Sequence, residues 1–399
     1  MFGQTVSNVG SSFTVFVLPL LVYKLTGSAL NLALVTAAEY VPYLLFGLVI
    51  GVWVDRVDRK RLMIWTDVAQ AMVISSVPLL AVTGLLPVWW LYAVGFASST
   101  LWICFNAAEF AAIPSLVKKE DLAAANGRLQ ASYAAAAVVG PLLAGSVVAL
   151  VPVYAVLIID ALSFFLSALS FRTIGTSFNA AGARQEGSAS FRRDVAGGLN
   201  YVLGHPVLRN TCFVMALVNC VGFTIYAQLV FFAKERLEAS DTQVGLLYAA
   251  GSTGMIALAL AAKPLRERLP FGKMLLGTLM LGGVLIVALA STHRYWAGML
   301  LWASIWGLVV LFDINSNSLL QTIVPDHMLG RVQSVVSVLS WSAIPLGTFV
   351  GGVVIEQTGN VALVYGAIGV TIFLAAYAFS FTALGDAERF LAQEKSREQ

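Results

Sequence analysis

Charge is what this chain has least of. Of its 399 residues, 11% are Asp, Glu, Lys or Arg and 59% are apolar, with a mean hydropathy of +0.83. Soluble domains carry about 25% charged residues, and apolar runs of 18 or more recur here throughout, so a soluble helical protein with a large core is set aside. Histidine and cysteine are scarce as well. His205, His293 and His327 fall at loops or helix ends, while Cys104, Cys212 and Cys220 lie inside apolar runs, odd in number and without metal-ligand spacing. That pattern speaks against a disulfide framework and against a metal site. No nucleotide-binding loop and no catalytic-triad pattern is present, so the chain does not read as an enzyme and no cofactor is expected. The net charge of +3 is scattered over many short connections, which leaves no basic face for nucleic acid.

What is abundant is membrane-spanning length. A span needs about 20 apolar residues, and about twelve candidates follow one another at 3–25, 30–53, 62–84, 88–112, 123–149, 152–171, 210–233, 242–262, 272–291, 295–319, 328–356 and 361–383. The expected class is an all-α membrane protein. Charge tests the count independently, because an even number of spans puts alternate loops on one side. Twenty of the 24 lysines and arginines fall on one set of alternate connections and the tail, and the other set holds Lys24, Lys234, Arg236 and Arg294. By the positive-inside bias both termini are expected in the cytoplasm. The first apolar segment has no basic region before it and no cleavage site after it, so it reads as a retained span rather than a signal peptide. Its beginning beside Met1 leaves a trimmed or misassigned start open.

The long connection divides the chain. Residues 1–172 are expected to form one six-helix bundle, 173–209 a cytoplasmic linker, 210–384 a second bundle and 385–399 a cytoplasmic tail. Within the linker, Phe191, Val195, Leu199 and Leu203 recur at helical spacing with Arg192, Arg193 and Asp194 between them, as in a helix lying on the inner membrane surface. An internal repeat supports the division. Gly127-Arg128-Leu129-Gln130, entering a span with Gly140, Pro141 and Gly145, is answered about 203 residues later by Gly330-Arg331-Val332-Gln333, entering a span with Pro345, Gly347 and Gly351.

At Gly47-Leu-Val-Ile-Gly51-Val-Trp-Val-Asp55-Arg56-Val-Asp58-Arg59-Lys60-Arg61 an apolar run meets a sudden basic loop. Gly47, Gly51 and Asp55 are four apart, so on a helix they share one face, expected to be a packing seam that ends in a carboxylate. These residues resemble the major facilitator superfamily, whose loop after span 2 reads Gly-x-x-x-Asp-(Arg/Lys)-x-Gly-(Arg/Lys)-(Arg/Lys). Gly51, Asp55, Arg56, Arg59 and Lys60 match it, and Asp58 stands where the family has glycine. That departure resembles the macrolide-efflux and enterobactin-exporter subgroup. Gly140, Pro141 and Gly145 resemble the helix 5 antiporter motif of the family's drug exporters. Span 4 lacks the Arg-x-x-Gln-Gly pattern of many proton-coupled members, which puts an arginine-assisted relay by that route in doubt.

The resemblance implies two pseudo-symmetric six-helix bundles that rock about a cavity, with Asp55 gating against the start of span 11 near Asp326. It also implies that spans 3, 6, 9 and 12 stand outside the cavity. The activity implied is export of an amphipathic small molecule, a drug, macrolide or siderophore, by alternating access with protons as the coupling ion. A facilitative permease or lysolipid flippase without ion coupling is the alternative. The protein is expected to be a monomer in a bacterial-type inner membrane, with the lipid bilayer and a small-molecule substrate as its partners.

Ionisable groups are costly in hydrocarbon, so each intramembrane one is a site hypothesis. Glu39 lies about nine residues into span 2, roughly 13 Å at helical rise, and reads either as a proton-exchanging group or as a carboxylate of the outer vestibule. Asp313, with Asn315 and Asn317 beside it in span 10, is the second coupling or substrate candidate. Glu109 at the inner end of span 4 and Gln228 in span 7 complete the set, while Asp67 and Asp160 are assigned mainly to interhelical hydrogen bonds.

Overall fold

The computed structural model describes residues 2–54, 57–117, 121–175, 178, 191–268 and 270–387. Among them every regular element is helical and there is no strand. Lipid offers no partner for a backbone amide or carbonyl, so a segment crossing it must satisfy its hydrogen bonds internally, which a helix does. Among the described residues, twelve helices are long and apolar enough to cross a membrane.

The first compact unit comprises residues 1–186 together with Ala239–Ala249. Its helices are α1 (Phe2–Thr26), α2 (Ala29–Val54), α3 (Arg59–Val82), α4 (Val88–Leu116), α5 (Leu122–Val148) and α6 (Val156–Thr173), with a short 3-10 turn at Val153–Ala155 before α6. Central to it is α1, which packs on α2, α5 and α6, while α3 packs on α4 and α6, and α2 on α4. Phe16, Val17, Leu20 and Val22 of α1 are accordingly fully enclosed.

The second unit comprises residues 187–238 and 250–399. It contains α7 (Phe191–Gly204), α8 (Pro206–Ala227), α9 (Leu229–Glu235), α11 (Phe271–Ser291), α12 (Tyr295–Ile323), α13 (Asp326–Trp341), α14 (Ile344–Thr358) and α15 (Val361–Phe379). The helix α10 (Asp241–Arg268) is divided, its start belonging to the first unit and its remainder to the second. Here α8 packs on α13, α14 and α15, and α11 on α12 and α15. These pairings repeat those of α1 with α5 and α6, and of α3 with α4 and α6, as the sequence repeat requires.

Two expected spans are broken. Span 7 stops at Ala227, and α9 resumes after Gln228, whose backbone (φ −98°, ψ 10°) is not helical. No proline accompanies that break. Span 11 is interrupted at Ser342-Ala343, where Pro345 in the first turn of α14 has no amide to continue the ladder. Of the glycine seam expected on α2, Gly47 is in open space, since a Cβ built there would meet none of the described residues within 4 Å. Helical spacing puts a glycine on a face; it does not supply the neighbour. Chain reversal after α14 does need glycine, since Gly359 adopts φ +64° to end the helix.

The helix in the linker is present as α7, with Tyr201 donating to the Ile323 carbonyl at 3.2 Å. Most of the linker before it, residues 179–190, lies outside the described residues, as do residues 388–399 of the tail.

Candidate functional site

The first unit carries an open cavity of about 230 Å³ that Glu39 lines from α2. Its walls come from five helices. Ser11 and Thr14 stand on α1, Tyr40 and Tyr43 on α2, Gln70 and Ile74 on α3, Gly95, Ser98, Ser99 and Trp102 on α4, and Asp160 and Phe164 on α6. The space for Glu39 is made by Gly95, where an added Cβ would come within 3.2 Å of the Glu39 Cγ. Ser99 donates to the Glu39 backbone carbonyl and fixes α2 against α4 at that level. Glu39 itself is half-buried, and Tyr40 stacks on Tyr43 with ring centroids 5.8 Å apart. An acidic group among aromatic faces suits an amphipathic ligand with a cationic end.

A second cavity of about 200 Å³ shares Ser11, Val15, Gln70, Trp102 and Phe164 with the first. It continues along α1 past Gln4, Ser7, Asn8 and Ser12, and is bounded by Asp67 and Tyr133. Polar side chains cross from α1 to α5: Gln4 donates to Asn8 at 3.1 Å, and Asn8 donates to Ser132 at 3.2 Å. Glu109, 7% exposed, accepts from the Tyr133 hydroxyl at 2.9 Å.

Among the expected candidates, Glu39 and Glu109 are thus joined to one chain of cavities, Glu39 as a wall and Glu109 through Tyr133. Asp160 makes the hydrogen bonds assigned to it, accepting from Thr14 on α1 and from Ser163, yet it also lines the cavity with Glu39. For Asp67, Oδ2 is buried and has no hydrogen-bond partner among the described residues. The Ser167 hydroxyl of α6 acts on the Asp67 carboxyl, but no bond of proper geometry joins them. Spans 3 and 6, expected outside the cavity that the resemblance implies, therefore contribute walls to this one inside the unit. Gln70, Gly95 and Trp102 were not singled out from sequence. An amide and a carboxylate three residues apart in an apolar run, Asp67 and Gln70, were the available signal.

Asp313, Asn315, Asn317 and Gln228 lie in the second unit. Asn315 is buried and donates to the Leu311 carbonyl at 2.6 Å. Asp313 and Asn317 are four apart and exposed, and Asn317 accepts from Gln333 at 3.4 Å. Gln228 is fully buried at the break between α8 and α9. These residues are not gathered into one described cavity.

In the loop motif, Asp55 and Arg56 lie outside the described residues, and Gly51 is part of α2. The remaining positions have definite work. Asp58 caps α3, accepting from the Arg61 amide at 3.0 Å, which gives the aspartate in place of glycine a local reason. Arg59 donates to the Ala111 carbonyl of α4 at 2.9 Å, and Lys60 donates to the Ile174 carbonyl just past α6. Both cations sit at helix C-terminal ends, where the dipole favours them.

The helix 5 motif serves close approach. A Cβ on Gly140 would strike the Ser12 side chain of α1, and Gly145 lies against Gly245 at the start of α10, within the first unit. Thr242 donates to the Gly145 carbonyl at 2.9 Å, and Lys24 forms an ion pair with Asp241 beside it.

Twelve helices of spanning length among the described residues, in two units, with mainly apolar cavities that carboxyl and amide groups reach in the first, describe a polytopic membrane transporter. The family model of the Major Facilitator Superfamily matches residues 1–348 and 212–399, and the chain belongs to that family. It is 24% identical over 372 residues to the multidrug efflux pump Tap of Mycolicibacterium fortuitum, covering 90% of this chain and 89% of that protein. It is 31% identical over 168 residues to macrolide efflux protein A of Streptococcus pyogenes, covering 42% of each. Its fold is similar to the nucleoside transporter NupG, with a TM-score of 0.70 at 13% identity, covering 94% of this chain and 98% of that one. A bacterial homologue of the iron transporter ferroportin in its inward-facing state gives a TM-score of 0.71 at 18% identity, covering 95% and 97%.

Proposed function

We propose that this protein exports amphipathic small molecules of drug, macrolide or siderophore type by alternating access, driven by inward proton flow. The observation that carries the reading is the placement of Glu39 in a cavity walled by Tyr40, Tyr43 and Trp102, in a chain whose relatives include named efflux pumps. A carboxylate in a site that alternates its access to water can release a proton on one side and exchange it for substrate on the other. Asp313 is the second coupling candidate, and Glu109, Asn315, Asn317 and Gln228 are secondary ones. Gly51, Asp55, Arg56, Arg59 and Lys60 would serve the cytoplasmic gate, with Arg59 and Lys60 bracing the ends of α4 and α6. The setting proposed is a bacterial inner membrane, with both termini cytoplasmic and the protein acting as a monomer.

Inverted membrane vesicles loaded with a fluorescent cationic dye or a radiolabelled macrolide test this. Dye accumulation on energisation, abolished by a protonophore and by Glu39→Gln, is the expected result. Accumulation that survives the protonophore rejects proton coupling, and equilibration without accumulation selects the facilitative permease or lysolipid flippase.

A further inference from the structure

The second cavity of the first unit ends in oxygen atoms that no described donor satisfies. Asp67 is 2% exposed and its Oδ2 has no hydrogen-bond partner; Gln70, one turn on along α3, is 6% exposed and its Oε1 has none. Gln4 Oε1 from α1 and Ser98 Oγ from α4 are buried and unpartnered too. All four residues line one or both of the adjoining cavities, and Gln70 lines both. Ser167 of α6, the hydroxyl that acts on the Asp67 carboxyl, is likewise buried with its Oγ unpartnered. Rotating the Gln70 amide does not relieve this, because its Nε2 already donates to the Ser98 carbonyl at 3.0 Å and a flip would set oxygen against oxygen. A buried acceptor without a donor, and above all a buried carboxylate oxygen without a counter-charge, is expensive. No lysine, arginine or histidine among the described residues lines either cavity, and Glu109 with its Tyr133 partner, together with Asp160 in the adjoining cavity, adds further carboxyl groups nearby.

We infer that Asp67 and Gln70, with oxygens from Gln4 and Ser98, form a binding site for a monovalent alkali-metal cation inside the first unit. A bound proton would satisfy two oxygens, whereas a hard cation gathers several at once, and three unpartnered ones, from Gln4, Asp67 and Gln70, belong to residues lining the second cavity, with Ser98 beside Gln70 in the adjoining one. The Asp67 carboxylate supplies the negative charge that a monovalent cation needs, beside the neutral oxygens of Gln4, Gln70 and Ser98. Divalent and transition metals are served poorly, since no group of three or more His, Cys, Asp or Glu is assembled among the described residues. A cavity of about 200 Å³ leaves room for water to complete the coordination shell.

The inference is independent of the substrate, because its test reads binding to purified protein. The full chain in lipid nanodiscs is to be melted in rising NaCl, KCl or LiCl, each balanced with choline chloride to constant ionic strength at fixed pH. One alkali cation should raise the midpoint saturably where choline does not. Asp67→Asn should abolish the response and Gln70→Ala should weaken the apparent affinity at least tenfold, while Glu356→Gln on the exposed end of α14 keeps it. Should Asp67→Asn fail to fold, Gln70→Ala decides alone. No difference between alkali cations and choline, a saturable response retained in both α3 variants, or a midpoint that follows pH and no alkali cation would overturn the site.

Discussion

In the first unit α2 meets α4 where Gly95 leaves room for the side chain of Glu39; in the second, α10 meets α12 where Gly254 lies hard against the backbone of Ala303. The two contacts occupy corresponding places in the repeat, between spans 2 and 4 and between spans 8 and 10. One glycine admits a carboxylic side chain and the other admits a neighbouring helix. The contrast extends further, since Glu39, Asp67, Glu109 and Asp160 all line or adjoin the cavities of the first unit. At the corresponding level the second unit packs Trp302 against Trp306 and Trp306 against Tyr226, at centroid separations of 5.7 and 5.3 Å. A duplicated helical scaffold can thus keep its packing scheme while its copies place polar groups differently, the first setting carboxyl groups about its cavities and the second burying Gln228, Asn315 and Ser316.

The sharpest way to break the comparison is to fill both glycines. Gly254→Val should drive into the Ala303 backbone, cost more than about 4 kcal/mol and remove monodisperse protein from detergent extracts. Equal yields of this variant and the parent would contradict the packing. Next comes the proposed coupling pair: Glu39→Gln should lower energised dye accumulation in vesicles at least tenfold, and Asp313→Asn should do so by less. The reverse ranking would move the coupling site to the second unit. Gly95→Ala should cost little stability, because the 3.2 Å contact is with a flexible side chain, while displacing Glu39 and reducing transport severalfold. A fully active Gly95→Ala would detach that glycine from function. The smallest effect belongs to the loop, where Asp58→Ala removes the cap of α3 at about 1 kcal/mol. Thermal melts should show the loss, with Asp58→Ser recovering most of it.

Much of this was legible without coordinates. Span number follows from apolar length, because lipid forces each crossing segment into a helix, and the repeat at Gly127 and Gly330 forecast the duplicated pairings. Glu39 stood out because a carboxylate in an apolar run is costly anywhere in hydrocarbon. Gln70 did not, since a single amide carries no such penalty once bonded. Gly95 was equally silent, as its meaning rests on which side chain lies across from it on α2.

Sequence alone therefore determined the class of element, the count of spans and the short list of buried charges, all of which depend on transfer of residues from water to lipid. Tertiary structure decided that Asp160 shares a cavity with Glu39, that Asp67 Oδ2 is left without a donor, that Gly47 has no neighbour, and that span 11 breaks before Pro345. Those outcomes depend on which faces of different helices meet, and a residue's own periodicity holds no record of the partner opposite it.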